Sequence, residues 1–288
     1  MGKKKILVLG STGMAGHMMT TYFEENGTCD VFNLAHKKKF NERTYLLDVT
    51  DFVKFETYLD EEDFDIIINC IGILNQYADA SKDKVILINS YLPHFLEEKF
   101  RDSPTKIIHI STDCVFSGKT GFYTEKSFRD GDSYYDRTKA IGEIIDYKNL
   151  TIRTSIIGPD INYDGIGLFN WFMKSKGKIN GYANAIWTGV TTIELAKAVE
   201  KAIAKDISGL YHLVNGKSIN KYELLLLFQD IFSKNDVNIA KYDNEPIDKS
   251  LINTRHDFDY KVPDYKVMIS EMREWILSHS NFYPHYTL

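Results

Sequence analysis

The sequence predicts an α/β protein, a Rossmann-like doubly wound parallel sheet with a smaller α+β C-terminal substrate domain. Three observations carry this. Short apolar runs such as residues 5–9 and 65–70 have the length and β-branched content of strands buried on both faces. Such runs alternate with stretches of helical period from residue 5 to residue 153. The first run passes straight into a glycine-rich turn and then a helix, the unit from which such sheets are built.

In order, residues 5–9 meet Gly10, Gly13 and Gly16, and residues 18–25 read as helix. Gly10 permits a tight turn, and the missing side chains let backbone amides approach a diphosphate at the positive end of the helix. The spacing G-x-x-G-x-x-G departs from the commoner G-x-G-x-x-G. A turn that merely joins strand to helix is therefore the alternative, and the flanking strand and helix favour nucleotide binding. A second strand, 29–34, ends in Ala35-His36-Lys37-Lys38-Lys39. NAD-preferring sites place a carboxylate near such a position. Here lysines follow instead, which suits the 2′-phosphate of NADPH, with NADH left open. A solvated lysine face is the other reading.

Residues 46–49 read as a short strand leading into a helix at 51–59, and 65–70 as the next buried strand, followed by Gly72. A helix over 84–100 carries Asn89 and a kink expected at Pro93. Strand 106–110 precedes Ser111-Thr112-Asp113, at the carboxyl end where open sheets bind ligands. A helix at 132–142 and a strand at 150–153 complete the regular pattern. Beyond Gly158-Pro159 the expected elements are helix 168–174, a Gly/Asn-rich passage at 177–184, helix 192–205, strand 210–214 and helix 220–233. A polar loop at 233–250 and a last helix at 268–278 follow. The division expected is a dinucleotide-binding domain over 1–158, with return segments within 188–214, and a substrate domain over 159–288.

The net charge of −5 argues against a nucleic-acid surface. Cys29, Cys70 and Cys114 form neither a disulfide framework nor a metal spacing. The opening apolar run is too short for a signal peptide, and Ile6 stands where a myristoylation motif needs Ser or Thr. No run reaches membrane-spanning length. A cytoplasmic protein without metal, membrane or nucleic-acid partners is expected. The sequence leaves oligomeric state open, a homodimer included.

Tyr135 and Lys139 stand four residues apart in the 132–142 helix, so phenol and ammonium can share one face. A neighbouring cation lowers a tyrosine's pKa from its ordinary ~10, which suits proton transfer near neutrality. Taken alone the pair reads as a surface contact. The glycine turn, the cationic loop and Thr112 at a strand end give it chemical meaning.

Together these features resemble an extended short-chain dehydrogenase/reductase. More narrowly, GSTGMAGH (10–17), STDCVFSG (111–118), Tyr123-Thr-Glu125, YDRTKAIGE (135–143), RTSIIGP (153–159) and WTGVTTIELAK (187–197) resemble the dTDP-4-dehydrorhamnose reductases. The resemblance implies that Tyr135 is the general acid toward a substrate carbonyl and that Lys139 holds the nicotinamide ribose and lowers the Tyr135 pKa. Thr112 would donate to the same carbonyl oxygen, and Asn89 would complete a proton relay unless it only caps backbone. Gly10, Thr12, Gly13, Met14 and Gly16 would meet the cofactor diphosphate. His36 and Lys37 would meet its adenosine end, where Asp48 would accept from the adenine amine or instead cap a helix. Cys70, Ile71 and Gly72 would pass along the cofactor. Asp113, Val115 and Phe116 would face the sugar, Trp187, Val190 and their neighbours Gly189 and Thr191 the nucleotide. Arg153 would meet a diphosphate or serve an internal ion pair.

Cys114, Ser117 and Asp136 depart from the residues usual in that family, Tyr, Asp and Gly, which leaves sugar and base open. A 4,6-dehydratase would read Thr-Asp-Glu where this chain has Thr112-Asp113-Cys114. The expected activity is NADPH-dependent reduction of a keto group, C4 foremost, on a nucleotide-linked deoxysugar for a surface polysaccharide. The alternatives are an epimerase that keeps NAD bound, or a non-catalytic regulatory subunit.

Overall fold

A computed structural model describes residues 2–243 and 245–288; Asn244, within the stretch read as a polar loop, lies outside them. The chain runs β1 (Lys4–Leu9), α1 (Met14–Asn26), β2 (Cys29–Ala35), β3 (Thr44–Leu46), α2 (Phe52–Glu61) and β4 (Ile66–Asn69). The short helices α3 (Asn75–Ala78) and α4 (Lys82–Ile86) lead through a π-turn, Leu87–Tyr91, into α5 (Leu92–Lys99). Then come β5 (Lys106–Thr112), α6 (Tyr134–Ile141), β6 (Leu150–Thr154) and β7 (Ile156–Ile157). The remainder is α7 (Leu168–Lys174), β8 (Gly177–Tyr182), β9 (Ala185–Trp187), β10 (Val190–Thr191), α8 (Thr192–Ala204), β11 (Gly209–His212), β12 (Ile219–Asn220) and α9 (Lys221–Ile231), then β13 (Val237–Tyr242), β14 (Ile247–Asp248) and α10 (Tyr265–Ser278).

Seven parallel strands form the main sheet in the order β11-β6-β5-β4-β1-β2-β3. This is the doubly wound fold that the apolar runs predict. Strand periodicity explains why both faces are covered. Ile6 and Val8 of β1 join a core with Met19 and Phe23 of α1 and Leu195 and Val199 of α8. Their neighbours Leu7 and Leu9 join the opposite core with Phe55 and Leu59 of α2 and Leu96 of α5. The strand order reverses between β1 and β4, which opens a crevice at their carboxyl ends.

Beyond the sheet, small pairings build a second layer: β8 with β13 in parallel, and β9 between β12 and β14. The Gly/Asn-rich passage and part of the presumed loop are thus paired strands. Ile179 and Ile239 face each other in that register, with only every second residue apolar. The helix expected over 84–100 is present and runs without a break from Lys82 to Lys99, with a π-turn at Leu87–Tyr91 inside it and Pro93 just after that turn.

Candidate active site

Four chain segments converge on the crevice. The first is the turn between β1 and α1. Gly10 has φ +83°, and a Cβ on Gly16 would stand 2.0 Å from the Gly10 carbonyl oxygen, so neither position accepts a side chain. Gly13 caps α1 without a side-chain hydrogen bond, which leaves the first helix amides facing outward. A diphosphate fits this cradle through backbone N–H groups and the helix terminus.

The second segment follows β4, where Cys70, Ile71 and Gly72 form one wall. The third is the end of β5. Thr112 is buried, its hydroxyl accepting from Cys114 N at 3.1 Å and donating to Asp113 Oδ1 at 3.3 Å. The fourth is α6. Ser133 caps it, accepting from Asp136 N at 3.1 Å, while Asp136 Oδ2 accepts from Ser133 N at 3.3 Å. That reciprocal capping box accounts for the carboxylate beside the candidate acid. One turn on, Tyr135 and Lys139 line a groove of about 590 Å³ with Gly13, Met14, Thr112 and Asp113.

The electrostatics differ from the expectation. Lys139 Nζ donates to Ile110 O at 2.8 Å and lies 3.2 Å from His109 Nε2. Burial holds its pKa down, at about 8. Burial pushes the Tyr135 phenol well above its ordinary range, and Cys114, Asp113 and Asp136 add to the rise against a hydrogen bond with Thr112. The phenol is thus raised and not lowered, and Lys139 Nζ is directed at β5. A phenol held protonated is still in the form a proton donor requires.

Gly10, Thr12 and Gly16 shape the turn beside the groove, and Gly13, Met14, Cys70, Ile71 and Gly72 line it. His36, Lys37 and Asp48 are exposed at the far end of β2. There His36 Nε2 lies 3.3 Å from Asp48 Oδ2, while Asp48 Oδ1 accepts from Thr50; Asp51, not Asp48, caps α2. Asn89 is buried and clamps backbone, accepting from Ile73 N at 2.8 Å and donating to Ile73 O at 3.0 Å. Its amide holds the groove wall and α6, with Nδ2 also donating to Thr138 Oγ1 at 3.3 Å, and does not cap the backbone of its own helix.

Of the residues expected at the substrate, Asp113 lines the groove, whereas Val115, Phe116, Arg153, Trp187, Gly189, Val190 and Thr191 do not. Arg153 makes a bidentate ion pair with Glu143, Nε to Oε1 at 2.8 Å and Nη2 to Oε2 at 2.6 Å, with neither group exposed. Its guanidinium is also 5.0 Å from the Phe116 ring, so the internal reading is the right one. Val115 and Phe116 form a small core with Tyr123 and Leu251. Trp187 and Val190 are buried in the main core. Alternation along an apolar strand end does not distinguish a pocket wall from core.

Other groove residues were not singled out in the sequence. Asp160, Asn162 and Gly167 line the groove with Thr154 and Ser155, which lie in the RTSIIGP stretch. Asn162 Nδ2 donates to Thr12 O at 3.0 Å, which latches this loop to the glycine turn. Lys249 and Lys221 bring the positive charge nearest Asp113, with Lys221 Nζ 4.9 Å over the Trp187 ring.

The chain matches the model of the RmlD substrate binding domain over residues 4–256. It belongs to that family. Among curated RmlD-like relatives, "Probable low-salt glycan biosynthesis reductase Agl14" of Haloferax volcanii is 30% identical over 139 residues, 47% of this chain and 46% of that one. The match thus spans about half of that relative. "Spore coat polysaccharide biosynthesis protein SpsK" of Bacillus subtilis is 25% identical over 225 residues, 76% of each chain. Among solved structures, the dTDP-4-dehydrorhamnose reductase of Bacillus anthracis, in complex with NADP, superposes with a TM-score of 0.82 at 19% identity, covering 95% of this chain and all of that one. The RmlD family membership and the Rossmann-like fold agree with the motif order read from the sequence. Among the described residues no cluster could hold a metal ion and no helix is long and apolar enough to cross a membrane.

Proposed function

We propose that this protein is an NADPH-dependent reductase of the C4 keto group of a nucleotide-linked deoxysugar, serving synthesis of a surface polysaccharide. The observation that carries this reading is the meeting of Thr112, Tyr135 and Lys139 on one groove that Gly13 and Met14 of the Gly10–Gly16 turn also line. A nicotinamide cofactor bound there supplies the hydride. Tyr135 gives its proton to the carbonyl oxygen, and Thr112 fixes that oxygen by a second hydrogen bond. Lys139 keeps a cation in reach of the phenolate that forms. The exposed Lys37, Lys38 and Lys39 after β2 suit a 2′-phosphate. The names of the Haloferax and Bacillus relatives support the glycan context.

The deciding experiment offers dTDP-, UDP-, GDP- and CDP-linked 4-ketosugars with NADPH and follows loss of reduced-nicotinamide absorbance. One of the panel is expected to be turned over. Bound NAD with no net consumption would instead indicate epimerisation, and no turnover with any sugar a regulatory subunit. Tyr135→Phe is expected to lower turnover by about 10²–10⁴-fold, the usual worth of a general acid, while NADPH affinity stays within a few-fold. Retained turnover in that variant would remove Tyr135 from the acid role.

A further inference from the structure

Directly behind Lys139 lies a buried hydrogen-bonded chain that the proposed reaction does not use. Asn69 of β4 and His109 of β5 are register partners, and neither is exposed. Asn69 Oδ1 accepts from Ile71 N at 3.1 Å, which fixes the amide so that Nδ2 faces His109 Nδ1 at 3.2 Å. A donor there requires a lone pair on Nδ1. Burial keeps the imidazole neutral, well below its ordinary titration range. Its single proton therefore belongs on Nε2. Nε2 faces Lys139 Nζ at 3.2 Å, and Nζ also gives a hydrogen to Ile110 O.

An ammonium cannot accept from the Nε2 proton, whereas a neutral amine accepts it and still donates to Ile110. We propose that Asn69 and His109 together disfavour the ammonium form of Lys139, so that Lys139 takes up a proton from solvent as the cofactor binds. This rests on the NADPH reading of the groove. His109 acts as a positioning residue: when Nζ is charged, its proton moves from Nε2 to Nδ1 and Asn69 must turn its amide. The moved proton and the one taken up are the only atoms transferred, and no electron changes hands.

Of the other charged groups around the chain, Glu143 opposes this, and burial outweighs it. Glu143, two residues past the end of α6, raises the Lys139 pKa by its charge while paired with Arg153 and accepting from Ser111 Oγ at 2.7 Å. The Cys70 thiol is pushed up to about 12 by burial and stays neutral. His94 bears on His109 from α5, and Tyr135, one turn before Lys139, is held protonated. Burial itself brings Lys139 to about 8, the same direction as the hydrogen bonds.

The test is ¹⁵N imidazole NMR at about pH 8.5, above the Lys139 titration, combined with binding calorimetry in buffers of different ionisation heat. In the free protein His109 is expected to carry its proton on Nε2. NADPH is expected to move it to Nδ1, with nearly one proton taken up per site. The 2′-phosphate stays silent, since a phosphate monoester's second pKa is about 6. Asn69→Asp keeps an acceptor for Ile71 N but offers Nδ1 an acceptor too; it should hold the proton on Nδ1 and reduce uptake several-fold. A free protein with the proton already on Nδ1, or NADPH binding without proton uptake, would overturn the proposal. Absence of any NADPH binding would count against the cofactor reading, and the tautomer in the free protein would still decide the His109 wiring.

Discussion

Glu143 and Arg153 show at the scale of single residues why a charge in a motif is ambiguous. Arg153 lies in RTSIIGP, beside the site in sequence, yet β6 turns its side chain inward. There Glu143 receives it in bidentate fashion, with Ser111 and Arg129 as further donors. Burial raises the Glu143 carboxyl, but the Arg153 hydrogen bond and charge outweigh it, and the net pKa is lowered. The sign of the linkage follows. A carboxylate depressed in the fold contributes stability above its unfolded pKa and loses it as pH falls through the folded value. Glu143→Gln leaves the buried guanidinium without its counter-charge and is expected to cost about 3–5 kcal/mol, the usual penalty for breaking one side of a buried pair. Urea unfolding at pH 7 measures that loss. The variant's acid limb below about pH 4.5 should be shallower than the wild type's, and an unchanged limb would mean that the pair is not coupled to stability.

At the scale of elements, what could be read in the sequence was what period and punctuation encode. In the main sheet β3, expected at 46–49, stands at Thr44–Leu46. The other six strands are short apolar runs, and α1, α2, α8, α9 and α10 have an apolar stripe, so their existence was clear from the pattern. The β8–β13 pair was not, because Gly177-Lys-Ile-Asn-Gly-Tyr182 has a loop's composition and is a strand only through its partner. The π-turn at Asn89 was invisible for a related reason. It is stabilised by contacts from elsewhere: Ser90 Oγ donates to Thr138 O at 2.8 Å, and Gly142 packs against the Asn89 carbonyl. A Cβ on Gly142 would stand 1.9 Å from that oxygen. Gly142→Ala is therefore expected to push the end of α6 away from the π-turn and to lower turnover at least tenfold, with thermal stability also reduced. Ser133→Ala removes the cap at the other end of α6. It should cost only about 1 kcal/mol and leave turnover within a few-fold. Equal effects of the two on turnover would mean that the π-turn contact does not place Tyr135 and Lys139.

At the scale of the whole molecule, the last residues return to the glycine turn where the chain begins. Tyr283 Oη lies 2.8 Å from His17 Nε2, and His17 Nδ1 lies 2.9 Å from Gly13 O. Tyr286 Oη accepts from Asp160 N at 2.9 Å, on the wall that Asn162 latches to Thr12. One carbonyl acceptor on Nδ1 requires the proton there, and Nε2 then accepts from the phenol, so the neutral imidazole satisfies both contacts. Protonation would set a second N–H against Tyr283, and burial lowers the His17 pKa to about 4. His212 is lowered to about 4 as well, by burial and then by Arg153. A base depressed in the fold costs nothing above its unfolded pKa of about 6.5. Below it the unfolded chain binds protons that the native chain refuses, so stability falls as pH drops from about 6.5 toward about 4, by roughly 3 kcal/mol for each such histidine. Depressed carboxylates such as Glu143 lose most of their contribution lower down, so most of the loss between pH 6.5 and about 4.5 comes from the buried histidines. His17→Gln keeps a donor for Gly13 O and removes one titration. Its unfolding free energy should therefore decline less steeply than the wild type's across urea series at about pH 7, 5.5 and 4.5. Parallel slopes in the two proteins would show that the contact between the C-terminal residues and the glycine turn is already open in that range.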